Sequence, residues 1–390
     1  MLVLGVDEIT LVLQLKDKNN SDCLTDSGYL KWSSTAETII DTFEYKADFE
    51  NVFGERTLEK QPPQGYTTAY TYGENNFYFA VAYHDLQPNM GICVKFSAKA
   101  LDYYREQTGL EIYQFLQMVQ SDKYGLRLSR IDLTADYFNE DIDITKIYQD
   151  YTLGKSDLFY AYRKKDTGKI AYRRNHLKDN GIANDNEFST IYFGSVQSNS
   201  RLRIYDKKRE QIERSGNKLQ QAKNCNDWVR FEGVFRRTYA HQLTEQLLNI
   251  NNNTEFAELI ANTMLQKFNF KYVNDKGEIT GNTEYTQRLC DHIASHALIL
   301  SSPCTKNYEL FKSMVYLICS SGADSTLKKI KAIWNDKAVL EFLNFIKRYS
   351  DETLPNDDCR SWLYHNVKDY QRNYPDFDKF FRENIYPLLP

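Results

Sequence analysis

FSTIYFGSVQSNSRLRIYDKKRE, residues 188–210, followed by DWVRFEGVFRR at 227–237, is the stretch on which the reading of this chain turns. Arg201-Leu202-Arg203-Ile204-Tyr205-Asp206-Lys207 alternates polar and apolar residues, and Trp228-Val229-Arg230-Phe231-Glu232 does the same. Both echo an earlier run, Arg130-Ile131-Asp132-Leu133-Thr134-Ala135-Asp136. Residues two apart in a strand share a face. Arg203, Tyr205 and Lys207 therefore point one way, Arg230 and Glu232 share a face, and so do Arg130, Asp132, Thr134 and Asp136. Paired with those faces together, the three strands make a sheet surface carrying a tyrosine, arginines, a lysine and carboxylates. Burying so much charge is costly unless it serves a purpose.

Further out, the chain predicts an α+β fold: a mainly antiparallel central sheet carrying the active site, with flanking helices and a helical C-terminal domain. Residues 1–15 read as a strand. Tyr66–Tyr72 and Phe77–His84 flank Gly73-Glu74-Asn75-Asn76 as a hairpin. Ser97 caps a helix that Gly109 ends. Residues 153–187 have no clear period and read as a basic hairpin or loop, and 208–224 as one charged helix. From about residue 283 the pattern is helical, with one helix expected over 285–301. The expected domains are 1–275, which carries the charged strands, and 276–390, helical.

The net charge of −4 argues weakly against nucleic acid. Its distribution argues the other way. Residues 151–240 hold 19 Lys/Arg against 10 Asp/Glu, a basic middle in an acidic chain. Arg163, Lys164, Lys165, Arg173 and Arg174 concentrate it, and Arg130, Arg201 and Arg230 add to it on the strands; all are candidate DNA contacts. The 29 tyrosines and 22 phenylalanines suit either an aromatic core or stacking platforms for unpaired bases. No apolar run is long enough to span a membrane. Charge at Asp7 and Glu8 interrupts the start, and the cysteines are odd in number and unpatterned. A cytoplasmic protein with free thiols and no signal peptide is expected.

Tyrosine is a poor nucleophile at neutral pH, its unperturbed pKa being about 10. Arg203 and Lys207 on the same strand face are expected to favour the phenolate. Asp132 and Glu232 are oxygen donors suited to one hard cation, Mg²⁺ or Mn²⁺. Such a set describes phosphoryl transfer from DNA to a tyrosine hydroxyl. Two other readings stay open: a hydrolytic metal-dependent nuclease using the same carboxylates, and a non-catalytic DNA-binding regulator. His292 and His296, four apart on an expected helix, are a rival zinc pair without a third ligand. Ser321–Ser325 is either a helix-turn-helix turn or an ordinary connection.

In this order, R-I-D-L-T-A-D, T-I-Y-F-G-S, L-R-I-Y-D-K and V-R-F-E resemble the Rep_trans family, as does Asn89–Ser97 upstream. That family comprises initiators of rolling-circle plasmid replication and related relaxases of integrative and conjugative elements. The resemblance is clearest over 88–240. It implies a tyrosine and divalent-metal nickase that stays on the DNA 5′ end and leaves a 3′ hydroxyl. Tyr205 is the implied nucleophile and Tyr192 its rival. Asp132 and Glu232 are the implied metal ligands, with Asp136 a further candidate. Val196 stands where the family is often basic. Single-stranded or hairpin DNA at a replication or transfer origin is the expected substrate. A host helicase and a second copy of the chain are candidate partners.

Overall fold

The computed structural model describes residues 1–16, 26–63, 65–73, 79–164, 166–184, 187–294, 296–301, 310–319, 321–355 and 357–388. The chain divides into two compact units, Met1–Ser301 and Ser302–Pro390.

The first unit is built on a ten-stranded sheet. Its strands are β1 (Leu2–Leu15), β2 (Arg56–Leu58), β3 (Thr68–Tyr72), β4 (Phe79–Tyr83), β5 (Ile92–Phe96) and β6 (Tyr124–Phe138), joined further along by others. A separate four-stranded sheet takes β7 (Ser156–Arg163) and β8 (Ile170–Arg174). The chain then returns to the main sheet with β9 (Asp179–Asn184), β10 (Glu187–Phe193), β11 (Ser200–Asp206) and β12 (Trp228–Arg236). The second sheet closes with β13 (Asn269–Val273) and β14 (Ile279–Asn282). The orders are β2-β3-β4-β5-β1-β6-β12-β11-β10-β9 and β14-β13-β7-β8, and the paired strands are antiparallel. The α+β class expected from the sequence is the class observed.

One face of the main sheet is apolar. Ile131, Leu133, Ala135 and Tyr137 of β6 alternate with the charged residues of the same strand and are all buried. Phe231 and Phe235 of β12 and Leu202 and Ile204 of β11 continue this face. Helices Thr238–Leu248 and Asn253–Lys267 pack on it. Gly233 sets how close: a Cβ there would stand 2.5 Å from Met264 Sδ. Beyond β1, the rings of Phe43, Phe96, Tyr104 and Phe115 pack edge to face and join helices Asp26–Ala47, Ala98–Thr108 and Ile112–Met118 to that core. Ser97 Oγ accepts from Ala100 N, and Gly109 closes the helix at φ 69°, as the sequence signals.

Of the two readings of 153–187, hairpin or loop, the structure has the hairpin, β7–β8, with β9 following it. β8 is short and only partly buried, so its alternation is obscure. Two local readings change. The single helix expected over 208–224 is two, Lys207–Glu213 and Leu219–Lys223, parted at Ser215-Gly216 where Ser215 takes φ 47°. The helix expected over 285–301 spans only Glu284–Cys290; residues 296–301 form no helix, and Ala297 N, Leu300 N and Ser301 N donate to Asn262, Gln266 and Gln242 side chains instead of continuing one. His292 and His296 therefore do not share a helical face.

The second unit is helical, with helices Leu310–Cys319, Ala323–Ile333, Asp336–Glu352, Asp357–Asn373 and Phe377–Asn384. Gly322, at φ 81°, separates the first two.

Candidate active site

The face opposite the apolar core carries the charge. β6, β12 and β11 are neighbours, and their register sets Arg230 opposite both Asp136 and Tyr205, and Glu232 opposite both Thr134 and Arg203. Antiparallel partners share a face, so the three motifs meet on one surface. On the next strand Tyr192 is opposite Arg203. Both tyrosines thus lie on the same face, and Arg236 joins it opposite Arg130.

β1 borders β6 on the other side. Val6 pairs with Leu133 and Ile9 with Ile131, so Asp7 and Glu8 together oppose the single residue Asp132. This β-bulge turns both acids toward the charged surface; Asp7 reaches Arg230 and Glu8 reaches Arg130. The sequence reading missed them. The signal was present in Val6-Asp7-Glu8-Ile9, where two adjacent acids break the alternation of a long apolar strand.

The charges form three groups. Asp136 takes Arg230 Nε and Nη2, each at 2.7 Å, and Trp228 Nε1 at 2.7 Å, while Arg230 Nη1 reaches Asp7. Arg230 is 2% exposed, so this expected DNA contact is a buried structural ion pair with its donors already engaged. Asp136, the third metal candidate, is likewise saturated. Burial pushes the Asp7 carboxyl up, but Arg230, Lys207 and Lys218 outweigh it and hold the group below its usual range.

In the second group Arg130 forks onto Asp132 at 2.9 and 2.6 Å and reaches Glu8 at 2.6 Å. Burial, and then the charge of Glu232, push the Asp132 carboxyl up to about 8 against the pull of Arg130.

The third group holds the tyrosine. Arg203 Nη2 donates to Glu232 Oε2 at 2.5 Å, and the Tyr205 hydroxyl donates to the same oxygen at 3.3 Å. The Arg203 guanidinium lies 4.3 Å over the Tyr205 ring, and Lys207 Nζ lies 5.5 Å from its centroid while pairing with Glu210 at 2.6 Å. Arg203 favours the phenolate, as expected, but burial outweighs it. Tyr205 is 4% exposed, and burial, with Glu232 and Asp7, holds its hydroxyl well above the usual value against Arg230 and Arg203. The group is a neutral phenol whose proton points at a carboxylate.

The donor set of Asp132 and Glu232 is all oxygen and suits Mg²⁺ or Mn²⁺ rather than a softer ion. Among the described residues no set of three or more His, Cys, Asp or Glu side chains is arranged to hold a metal ion. Asp132 and Glu232 each face an arginine, so a cation held there would displace those contacts. The mutual repulsion that raises Asp132 is what an added cation would relieve.

The basic hairpin is elsewhere. Phe270 of β13 packs on Phe193 at 5.4 Å and Phe231 at 6.5 Å between ring centroids. Those residues alternate with Tyr192 and with Arg230 and Glu232, so the second sheet backs the surface opposite Tyr205. Arg163 is bound to Gly168 O, Arg173 lies over the Tyr162 ring and Arg174 pairs with Asp157. Lys164 follows β7 in the hairpin turn, and Lys165 lies outside the described residues. A cleft of about 400 Å³ lined by Ile144, Phe188, Asp206, Arg209 and Trp228 includes none of Tyr205, Asp132 and Glu232.

The large antiparallel sheet with helices packed on one face is a fold that a solved replication initiator shares. The structure of a rolling circle replication initiator protein from Geobacillus stearothermophilus superposes with a TM-score of 0.50 over 76% of this chain and 100% of that chain, at 15% identity. No curated protein matches the sequence. The family model Rep_trans, replication initiation factor, matches residues 126–338, more than half of the chain, and the chain belongs to that family. No helix among the described residues is long and apolar enough to cross a membrane.

Proposed function

We propose that this replication initiation factor is a metal-dependent DNA strand transferase that nicks one strand at a replication or transfer origin, with Tyr205 as nucleophile. The observation that carries the reading is the Tyr205 hydroxyl 3.3 Å from Glu232 Oε2, on a buried charged face. A neutral phenol needs a base, and the carboxylate is placed to take its proton. The Tyr205 oxygen then bonds to phosphorus as the P–O3′ bond breaks. The proton passes by way of Glu232 to the departing oxygen, leaving a 5′-phosphotyrosyl bond and a free 3′ hydroxyl. Arg203 faces the charge that develops on the phosphate. Asp132 and Glu232 are the residues that would hold Mg²⁺ or Mn²⁺, whose chemistry is to polarise a phosphate oxygen. Single-stranded or hairpin DNA is the substrate form, since a strand-borne tyrosine does not reach a base-paired backbone. A host helicase, a second copy of the chain and a cytoplasmic setting belong to the same proposal.

The burial of Tyr205 supports one competing reading, in which the phenol is structural and the carboxylates serve a hydrolytic nuclease. An adduct assay separates them. The protein is mixed with Mn²⁺ and end-labelled single-stranded oligonucleotides spanning candidate nick sites. A denaturation-resistant band carrying the DNA 3′ of the nick, lost in Tyr205→Phe by at least about a thousandfold, is the expected result. Cleavage that persists in Tyr205→Phe without any adduct establishes the hydrolytic enzyme instead.

A further inference from the structure

Away from Tyr205 the charged face does not balance. Arg130 is neutralised by Asp132 and Glu8, and Arg203 by Glu232. Arg201 and Arg236 have no ion-pair partner among the described residues. Arg236 Nη1 donates to Val196 O at 2.9 Å, and the Arg201 guanidinium lies 4.2 Å over the Tyr192 ring. Register places Arg236 directly opposite Arg130, and like charges directly opposite are unfavourable in a sheet. Burial, then Arg130, and also Arg201, lower the Arg236 guanidinium from its usual value against the pull of Asp132 and Glu8. Three guanidiniums therefore crowd the strand ends with positive charge to spare, beside a half-buried aromatic ring.

This surplus lies on the line that leads away from the nucleophile. Arg201 is four residues from Tyr205 on β11, about 13 Å along an extended strand, and Tyr192 is beside Arg203 in between. A cation to bind phosphate and a ring to stack a base are the two components of a sequence-tolerant single-strand track. We infer that Arg201, Arg236 and Tyr192 form a subsite for the single-stranded DNA flanking the scissile phosphate, the two arginines taking backbone phosphates and the Tyr192 ring, sandwiched with Arg201, receiving a base. The inference rests on the reading of the Tyr205 face as the nicking site, and it gives the rival tyrosine a binding role in place of a chemical one.

The test is binding without cleavage. A fluorescein-labelled oligothymidylate of about a dozen nucleotides is titrated with the full chain in EDTA, by anisotropy, from about 50 to about 200 mM salt. Arg201→Gln and Arg236→Gln are each expected to reduce the slope of log K against log salt by about 0.7, one single-strand phosphate contact. Arg201→Lys and Arg236→Lys should recover the slope, which a folding defect in the glutamine variants would not explain. Tyr192→Leu should bind about fivefold to 150-fold more weakly than Tyr192→Phe. Slopes equal to wild type in both glutamine variants overturn the subsite, as does a larger loss in Arg163→Gln or Arg173→Gln than in Arg201→Gln, which would move the track to the hairpin behind the sheet. If the wild-type chain binds no single strand at all, the nicking assignment fails as well. Intact wild-type binding with insensitive variants removes the subsite alone.

Discussion

At the residue scale, the three carboxylates singled out in the sequence have different work. Asp132, Asp136 and Glu232 all sit on the same face and all contact arginines; Asp132 and Asp136 both take a guanidinium fork, but only Asp136 takes an indole donor as well. Removing one partner of a buried ion pair leaves an uncompensated charge and costs about 3–5 kcal/mol. Asp136→Asn should therefore lower stability by about that amount, read as a shift in the urea midpoint at unchanged slope. Asp132→Asn and Glu232→Gln should behave differently. Burial and the charge of Glu232 raise the Asp132 carboxyl to about 8, so it is mostly protonated at neutral pH and its neutral isostere keeps the fold. Both variants are expected to lose adduct formation by at least about a hundredfold, with the urea midpoint of Asp132→Asn close to wild type. A large stability loss in Asp132→Asn would mean that its pairing with Arg130 is structural.

At the element scale, period two was the legible signal. Each site strand has one apolar and one charged face, so residue parity alone placed Tyr205, Arg203, Glu232, Asp132 and Arg130 together, and the register brings them there. Parity also placed Arg230 on that face, but it could not show that Asp136 and Asp7 enclose it. Glu8 was hidden because a bulge suspends the alternation that parity reads. Arg236 lay one step beyond the motif. The direction of the Tyr205 shift was missed for a related reason: sequence lists neighbouring cations but not burial, and burial is the largest influence on that group. The 285–301 segment failed because side-chain amides of Asn262, Gln266 and Gln242 hold its backbone, a tertiary contact that helical periodicity does not contain. Helix-on-sheet packing behind the site has its own test at Gly233. A Cβ there would stand 2.5 Å from Met264 Sδ and 2.9 Å from Phe235 Cε2. Gly233→Ala should cost about 1–3 kcal/mol, and Met264→Ala in the same chain should recover part of that loss. Additive effects in the double-mutant cycle would show that the helix shifts to accommodate the methyl group.

At the scale of the whole molecule, the abundance of tyrosine that suggested stacking platforms is largely structural in the first unit. Burial raises Tyr72, Tyr104, Tyr124, Tyr137, Tyr205 and Tyr285 above their ordinary value, and raises Tyr70 and Tyr272, both bonded to glutamates, to about 12. The unfolded chain ionises these groups near pH 10 while the folded chain does not. A folded pKa raised above the unfolded one contributes stability that is complete below pH 10 and is lost as pH rises through the folded values. Each such phenol withdraws about 1.4 kcal/mol per pH unit above 10, and several together exceed a stability of about 5–15 kcal/mol within one to two units. One group acts in the opposite sense. Lys267, buried with its Nζ 2.7 Å from Tyr239 Oη, is pushed down by desolvation to about 8. The unfolded chain binds that proton up to about pH 10.4, so stability from this lysine rises with pH between about 8 and 10. Urea midpoints should accordingly climb from pH 8 toward pH 10 and then collapse between about pH 10 and 12, in step with tyrosinate absorbance. Lys267→Met should raise the midpoint at pH 7 and remove the climb while leaving the alkaline collapse in place. A collapse centred well below pH 10, or tyrosinate absorbance that appears before the fold is lost, would show that the phenols are reached by solvent in the folded state.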